Sequence, residues 1–589
     1  MSLIKSASGK IVLLLFMVFA FSTAEKINKI NTGEKTCVCA YDGFGYYMYL
    51  PHIFEKGHLD IQKEWAQNLQ NEYCNGAVTY QLERHYLDKN IDIYHMGLAF
   101  VMLPSYTIAD ISARIGGYKT DGFSYPYNVG YQLNALLFIF LGLLYSRKLL
   151  RLFTNELKTS VALILVALGA NTYFIFTQQN DLPHLYLFVI NAASSYHLFQ
   201  YYYHDKKRSI LFAALLFGLS VCIRPTQALF GIIPFILLLK KHGRTKEFLF
   251  KIAIFPIAAI IWNIPQIIYW KVIGGEFIIP NLHTEDMVFT DPNLLDFLFS
   301  YRKGWLLYTP IFILLPIGWW FMFKKDRTLF YATLSFSVVY IYAMSSWECW
   351  WYAASFGQRV MVDIYPILAI PLVFVLNEFK KPLTTAAASL FALGCITLNL
   401  FQSEQMNRGI MDGFRMSQAH YWHIWGELNR YKVHNRWLLI NRGNINWPKE
   451  LSQFDDNPFE IKSKMVFQIK APLVSEPGNH VSIDKIHVLK TFKTDETLVE
   501  VPIKFRTSDS TQSSLLRMEC VSAWNCYSWN NIELSLGRPQ NQIITDTLRF
   551  NLPDVRHAND SMQMYLWNDG SAKIEVLEFK IKATSLIRN

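Results

Sequence analysis

Long apolar runs separated by short basic clusters fill the first two-thirds of the chain, and short runs of alternating polar and apolar residues fill its last quarter. Runs of about 17–25 apolar residues read as membrane-spanning helices. They fall at 128–145, 159–176, 184–203, 252–269, 304–323, 329–345, 360–376 and 383–401, and the first apolar run, 11–24, is shorter than these. The run 210–239 is apolar except at Arg224-Pro225-Thr226 and has basic clusters at both ends, so the positive-inside rule requires it to cross and return as a hairpin. Its apex carries Arg224, and Pro225 starts the second leg, where a missing N–H costs nothing. The piece at 93–108 is interrupted by His95, Pro104 and Ser105 and reads as an interfacial helix.

The pattern predicts about eleven crossings. The clusters Arg147/Lys148/Arg151, Lys206/Lys207/Arg208, Lys240/Lys241, Lys324/Lys325/Arg327 and Lys380/Lys381 then all fall on one side. That side is cytoplasmic, with the N-terminus, and everything after 401 is exported. The first run follows Lys5 and Lys10 and ends in Ser-Thr-Ala before Glu25; a cleaved signal peptide and a retained helix both fit it, and either way the next segment is exported.

Beyond a connector at 406–455, alternating runs at 465–469, 480–488, 498–505, 532–536, 543–552, 562–567 and 573–581 are separated by turn residues. They predict an all-β sandwich or jelly roll over 456–589. The fold class is therefore an α-helical polytopic membrane domain, 1–405, with an exported loop at 25–127, followed by that β domain.

Composition changes this picture little. The chain is 52% hydrophobic and 17% charged, and its net charge of +10 is spent on loop clusters beside apolar runs, which excludes a nucleic-acid partner and leaves the lipid bilayer as the surface those cations meet. Eight cysteines show no metal spacing. Cys37, Cys39, Cys74, Cys520 and Cys526 lie in segments read as exported, where disulfides of undetermined pairing can persist, with a few loop disulfides or free buried thiols the plainer reading.

Three stretches carry candidate chemistry. Tyr41-Asp42-Gly43-Phe44-Gly45-Tyr46-Tyr47 sets one carboxylate among glycines and tyrosines. In a partly dry, aromatic-walled cleft its pKa would rise towards the range useful for taking a hydroxyl proton; as a plain turn, Asp42 would accept backbone hydrogen bonds. Trp347-Glu348-Cys349-Trp350-Trp351 runs on to Gly357-Gln358-Arg359. Arg359 and Arg224 can fork a phosphate, or snorkel from an interfacial tryptophan belt. Asp181 and His184, in Gln178-Gln179-Asn180-Asp181-Leu182-Pro183-His184, suit sugar hydroxyls, with helix capping the simpler role for Asp181. Arg302 and Lys303 precede a span and fit either a substrate anion or a solvated loop.

Together these stretches resemble the GT-C class of membrane glycosyltransferases over roughly residues 1–405, most nearly the bacterial relatives of protein O-mannosyltransferases and aminoarabinose lipid A transferases. The resemblance implies a retained first helix and a bacterial inner (plasma) membrane location. It implies an inverting enzyme that moves a sugar from a polyprenyl-phosphate donor to a hydroxyl of a glycan, lipid or protein acceptor on the exported face. By the same resemblance Asp42 is the general base, Arg224 and Arg359 hold the carrier phosphate, and Tyr46, Tyr47, Trp350 and Trp351 shape the sugar and prenyl sites. Several relatives carry a second acid directly after the first; Gly43 stands there instead, and neither metal nor other cofactor is expected. The C-terminal sandwich, with Met562-Gln563-Met564-Tyr565-Leu566-Trp567-Asn568 leading to a final strand, separately resembles a carbohydrate-binding jelly roll, and a structural cap with no ligand fits it equally. A flippase for a lipid-linked glycan would need a similar bundle, although no repeated halves are visible; a non-catalytic scaffold for glycan assembly is the third reading.

Overall fold

The computed structural model describes residues 3–32, 37–82, 84–86, 89–279, 287–379, 381–429, 438, 459–468, 473–487, 497–522, 525–552 and 561–588. The chain divides into two compact units, Met1–Ser403 and Glu404–Asn589. Half of the expected connector, 430–437 and 439–455, lies outside the described residues.

The first unit is a membrane protein's helical bundle. Among the described residues seven helices are long and apolar enough to cross a bilayer, or eight if a bent pair counts as one span. They are Ala7–Asn31, Gly97–Gly116, Tyr125–Leu150, Lys246–Gly274, Arg327–Ser345, Arg359–Glu378 and Pro382–Asn407, and the pair Glu156–Leu168 and Thr172–Gln178 bends by 58°. Gly97–Gly116 departs from the interfacial expectation. It runs for 20 residues with Pro104 inside it, well past the polar interruptions that suggested a surface helix.

Four expected crossings fall short for identifiable reasons. The hairpin forms with legs of only 17 and 11 residues, Lys207–Ile223 and Ile232–His242, joined through extended Arg224 and a 3-10 turn, Pro225–Gly231. The 304–323 run breaks after Trp305–Tyr308, because Pro310 has no N–H to continue the helix, and resumes as Leu315–Lys325. Pro183–His204 is too polar to read as a lipid-facing span, and it is buried inside the bundle instead. Its Ser194 hydroxyl donates to the Ala213 carbonyl at 2.9 Å, the kind of internal satisfaction a dry interior demands.

Side chains staple the bundle together. Val12, Leu15 and Phe19 of the first helix are buried. At its start the Arg147 guanidinium donates to Ser8 Oγ (2.7 Å) and Ser6 Oγ (2.9 Å) and faces Glu156 Oε1 at 3.3 Å, so this basic residue ties three helices and does more than mark a membrane side. In the loop between the first two long helices, Cys37 and Cys74 form a disulfide, while Cys39 is a buried free thiol. The same loop contains a small hairpin of β1 (Arg84–Tyr86) and β2 (Lys89–Ile91).

The second unit is a two-sheet antiparallel sandwich. Its strands are β3 (Phe459–Gln468), β4 (Leu473–Ser475), β5 (His480–His487), β6 (Thr497–Thr507), β7 (Leu515–Ser522), β8 (Asn525–Glu533), β9 (Ile544–Asn551), β10 (Ser561–Trp567) and β11 (Ile574–Arg588). One sheet has the order β5-β10-β7-β8; the other has β3-β11-β6-β9, with β4 also on β11. Alternate residues such as Val499, Val501, Ile503 and Phe505 on β6 and Leu516, Met518 and Cys520 on β7 fill the core between them, as period-two patterning dictates. The side chain of Cys526 lies outside the described residues.

Candidate functional site

Asp42 occupies the first turn of a short helix, Tyr41–Tyr47. Two glycines let that helix pack closely: a Cβ on Gly43 would lie 2.8 Å from Asp181 Oδ2, and one on Gly45 would collide with the Tyr94 ring. The Asp42 carboxylate is held from two sides. Tyr80 donates to Oδ1, and Tyr80 and Tyr94 share a 2.9 Å hydroxyl contact. Arg359 NH2 donates to Oδ2 at 2.5 Å. Tyr94 is fixed in turn by its backbone N–H on Asp92 Oδ1 (2.9 Å) and by its ring, whose centroid lies 4.7 Å from that of Tyr46.

This geometry corrects the expected electrostatics of Asp42. Burial does push its pKa up, but the charge of Arg359 and the hydrogen bonds from Tyr80, Tyr94 and Arg359 outweigh burial, and the pKa is lowered to about 2. In this state Asp42 is an ionised, paired and weak base. Asp181 shows the opposite balance. Burial raises its pKa to about 6, against the opposing charge of Lys26 and with the help of the nearby Asp42 charge. Nor does Asp181 cap a helix: the N-cap of Pro183–His204 is Leu182, with no side-chain cap bond. A second acid therefore sits beside Gly43, supplied by a different loop.

Arg359 and Arg224 approach the same region from different elements. Arg359 opens a 3-10 turn, Arg359–Ile364, is only 8% exposed, and has a buried Nε with no hydrogen-bond partner among the described residues. Arg224, at the hairpin apex, has its NH1 3.6 Å from Asp363 Oδ2, an ion pair longer than a hydrogen bond. Buried Tyr46 lies within electrostatic reach of Arg224, Asp42, Arg359 and Asp363.

Asp363 is the residue that sequence reasoning missed. Fully buried one turn beyond Arg359, its carboxylate meets His184 Nδ1 at 2.7 Å, Gln227 Nε2 at 3.1 Å and the Tyr340 hydroxyl at 3.3 Å. Asn191 Nδ2 donates to the Asp363 carbonyl at 2.9 Å and bridges to Gln227 Oε1 at 2.9 Å. The readable signal was a single acid in an apolar run, and such residues are costly unless paired. His184 thus serves this buried network.

The remaining predicted residues divide. Arg302 and Lys303 are buried, which removes the solvated-loop reading. The Arg302 guanidinium lies 3.6 Å over the Trp351 ring. Lys303 Nζ donates to the Ser355 carbonyl and, at 3.3 Å, to its hydroxyl. Asn171 Nδ2 donates to the Phe356 (3.0 Å) and Gln358 (3.2 Å) carbonyls, and Gln358 Nε2 donates to the Trp350 carbonyl (3.1 Å). The tryptophan loop is thereby held in an unusual shape, with Tyr352 and Ala353 both at φ 51°. Tyr47 instead joins the aromatic core, its hydroxyl on the Gly122 carbonyl (2.7 Å) and its ring against Tyr106, Phe123 and Tyr131. Among the described residues no three His, Cys, Asp or Glu side chains cluster as a metal site would need.

The arrangement offers a carboxylate, a second acid and two arginines in one partly buried polar region, a set suited to an anionic ligand. Comparison with models of known protein families yields no match to this sequence, and comparison with curated proteins yields none.

Proposed function

We propose that the chain is a GT-C-like glycosyltransferase with eleven membrane crossings, built so that Asp42 and the two arginines face the exported side. In this reading the two hairpin legs, the broken run after Gly304 and the buried, more polar Pro183–His204 also cross. The observation that carries it is that Arg359, paired with Asp42, and Arg224, near Asp363, both act on buried Tyr46, with the Arg359 Nε lacking an acceptor among the described residues. An orphaned buried N–H on a guanidinium is costly, and a phosphate oxygen is the acceptor it matches best.

The donor is a sugar joined through its anomeric carbon to a polyprenyl phosphate. Arg224 and Arg359 hold the phosphate; Tyr46 lines the space next to it, and Arg302, stacked on Trp351, adds positive charge to the wall of the tryptophan loop. The acceptor hydroxyl gives its proton to Asp42 as its oxygen bonds to the anomeric carbon. The bond from that carbon to the phosphate oxygen breaks, the polyprenyl phosphate leaves with the electron pair, and the anomeric configuration inverts. Fixed positive charge on the departing phosphate accounts for most of the expected rate gain, because such charge in a dry site needs no reorganisation.

The test is transfer from synthetic polyprenyl-phosphate sugars by purified protein in lipid nanodiscs. Wild-type transfer that falls at least about a hundredfold in both Arg224→Ala and Arg359→Ala supports the reading. Movement of intact lipid-linked glycan across liposomes with no sugar transfer would replace it with the flippase reading.

A further inference from the structure

The pairing of Asp42 with Arg359 is at odds with a base that must take a proton from a hydroxyl. The carboxylate is half neutralised by a guanidinium and doubly hydrogen-bonded by Tyr80 and Arg359. The pairing is also incomplete on the arginine side. A guanidinium presents two parallel donors, Nε–H and one NH2, to a bidentate anion. Asp42 takes only the NH2 group, because its other oxygen is committed to Tyr80, and the buried Nε remains without an acceptor. A phosphate has two oxygens free to take the whole edge, and Arg224 stands near enough to affect Arg359 electrostatically. The competition between carboxylate and phosphate for one guanidinium edge is therefore built into the geometry.

We infer that Asp42 and Arg359 form a donor-operated latch. The donor phosphate takes the Nε/NH2 edge of Arg359, displaces the Asp42 carboxylate from it, and so frees the base only when a donor is in place. This rests on the donor reading given above. Displaced from Arg359, Asp42 keeps Tyr80 and loses its counter-charge, which makes it a stronger proton acceptor beside the anomeric carbon. Tyr80 and Tyr94 hold the carboxylate in position during the exchange, since burial raises both phenol pKa values and keeps them as donors. Without donor the latch keeps an unpaired carboxylate and an unpaired guanidinium from facing one another across a dry site, each of which would be costly alone.

The consequence is opposite to that of an ordinary binding residue: removing the Asp42 charge should tighten carrier binding while abolishing transfer. The experiment measures binding of a short polyprenyl phosphate to full-length protein in nanodiscs, with the matched polyprenol and phosphatidylglycerol as comparisons. The latch predicts that Asp42→Asn binds the carrier phosphate about tenfold more tightly than wild type, within the usual range for coupled sites. In an Arg359→Lys background, which keeps the charge but not the fork, Asp42→Asn should gain no affinity. On the same proteins the carrier should raise the melting temperature of Asp42→Asn more than that of wild type. Asp42→Ser, also uncharged, takes its place if the asparagine protein is not recovered folded. Equal or weaker carrier binding by the uncharged variants, with wild type still preferring the phosphate over polyprenol, would overturn the latch and leave the donor reading intact. No preference for the phosphate in any of these proteins would remove both.

Discussion

Replacing Asp363 with alanine tests whether the buried polar network organises the bundle. The carboxylate is fully buried and accepts from His184 Nδ1 (2.7 Å), Gln227 Nε2 (3.1 Å) and Tyr340 (3.3 Å), with Arg224 at 3.6 Å. Alanine leaves those donors and one cation facing a small void. Orphaned buried donors cost about 1–3 kcal/mol each, but they are not additive, because Gln227 and Asn191 can re-pair. Loss of one partner from a buried charge pair costs about 3–5 kcal/mol, and we take that as the whole effect. For a bundle of this size it corresponds to a fall of roughly 4–6 °C in a melting scan at fixed rate in detergent. Asp363→Asn keeps one acceptor oxygen and should lose about half as much, and Tyr340→Phe, which removes the longest of the three hydrogen bonds, only about 1 kcal/mol. If Asp363→Ala melts within a degree or so of wild type, the network is not structural and the argument for its holding Arg224 falls with it.

Other consequences follow from the same geometry. Because the Asp181 pKa is raised from 3.8 to about 6, this group's contribution to stability is full below pH 3.8 and is lost as pH rises through about 6. Asp181→Asn should therefore gain on wild type between pH 4 and pH 7, by at most about 3 kcal/mol at roughly 1.4 kcal/mol per unit, as read from paired melting curves; a difference that does not change with pH would refute the assignment. Gly43→Ala puts a methyl group 2.8 Å from Asp181 Oδ2 and should cut sugar transfer at least about tenfold with little loss of folded protein, since even a 1 Å misplacement is costly at a reacting centre. If Cys37 and Cys74 face an oxidising compartment, alkylation of unreduced protein should leave both unlabelled, whereas labelling of both in freshly isolated membranes would reverse the proposed orientation.

What could be read beforehand was whatever one segment determines by itself. The runs that became Tyr125–Leu150, Lys246–Gly274 and Pro382–Asn407 carry enough apolar length to declare themselves. The break at Arg224-Pro225 also stood out, since a proline without an N–H and a cation in an apolar run both point to a discontinuity. Gly97–Gly116 was obscured because Pro104 and Ser105 look like a break, while the helix continues through them, with Ser105 donating to the Met102 carbonyl at 2.8 Å. In the sandwich β7 is not among the expected runs: Leu516, Met518 and Cys520 alternate with Arg517 and Glu519, but none of the three is β-branched, so the strand signal is weak.

The site was legible in its residue types and not in its pairings. Asp42, Arg224 and Arg359 could be singled out because charged residues beside apolar runs are costly. That Arg359 would neutralise Asp42, lowering a pKa expected to rise, depends on two segments far apart in sequence meeting in the fold. Asp363 was hidden for the same reason, since its four partners come from three other elements.

The central claim is tested most directly by single-turnover sugar transfer from a polyprenyl-phosphate sugar, comparing wild type with Asp42→Asn under donor saturation and following the anomeric configuration of the product. The account predicts an inverted product from wild type and a loss of at least about a hundredfold in the variant, the range expected when a general base is removed. A retained anomeric configuration, or a variant as fast as wild type, would contradict it.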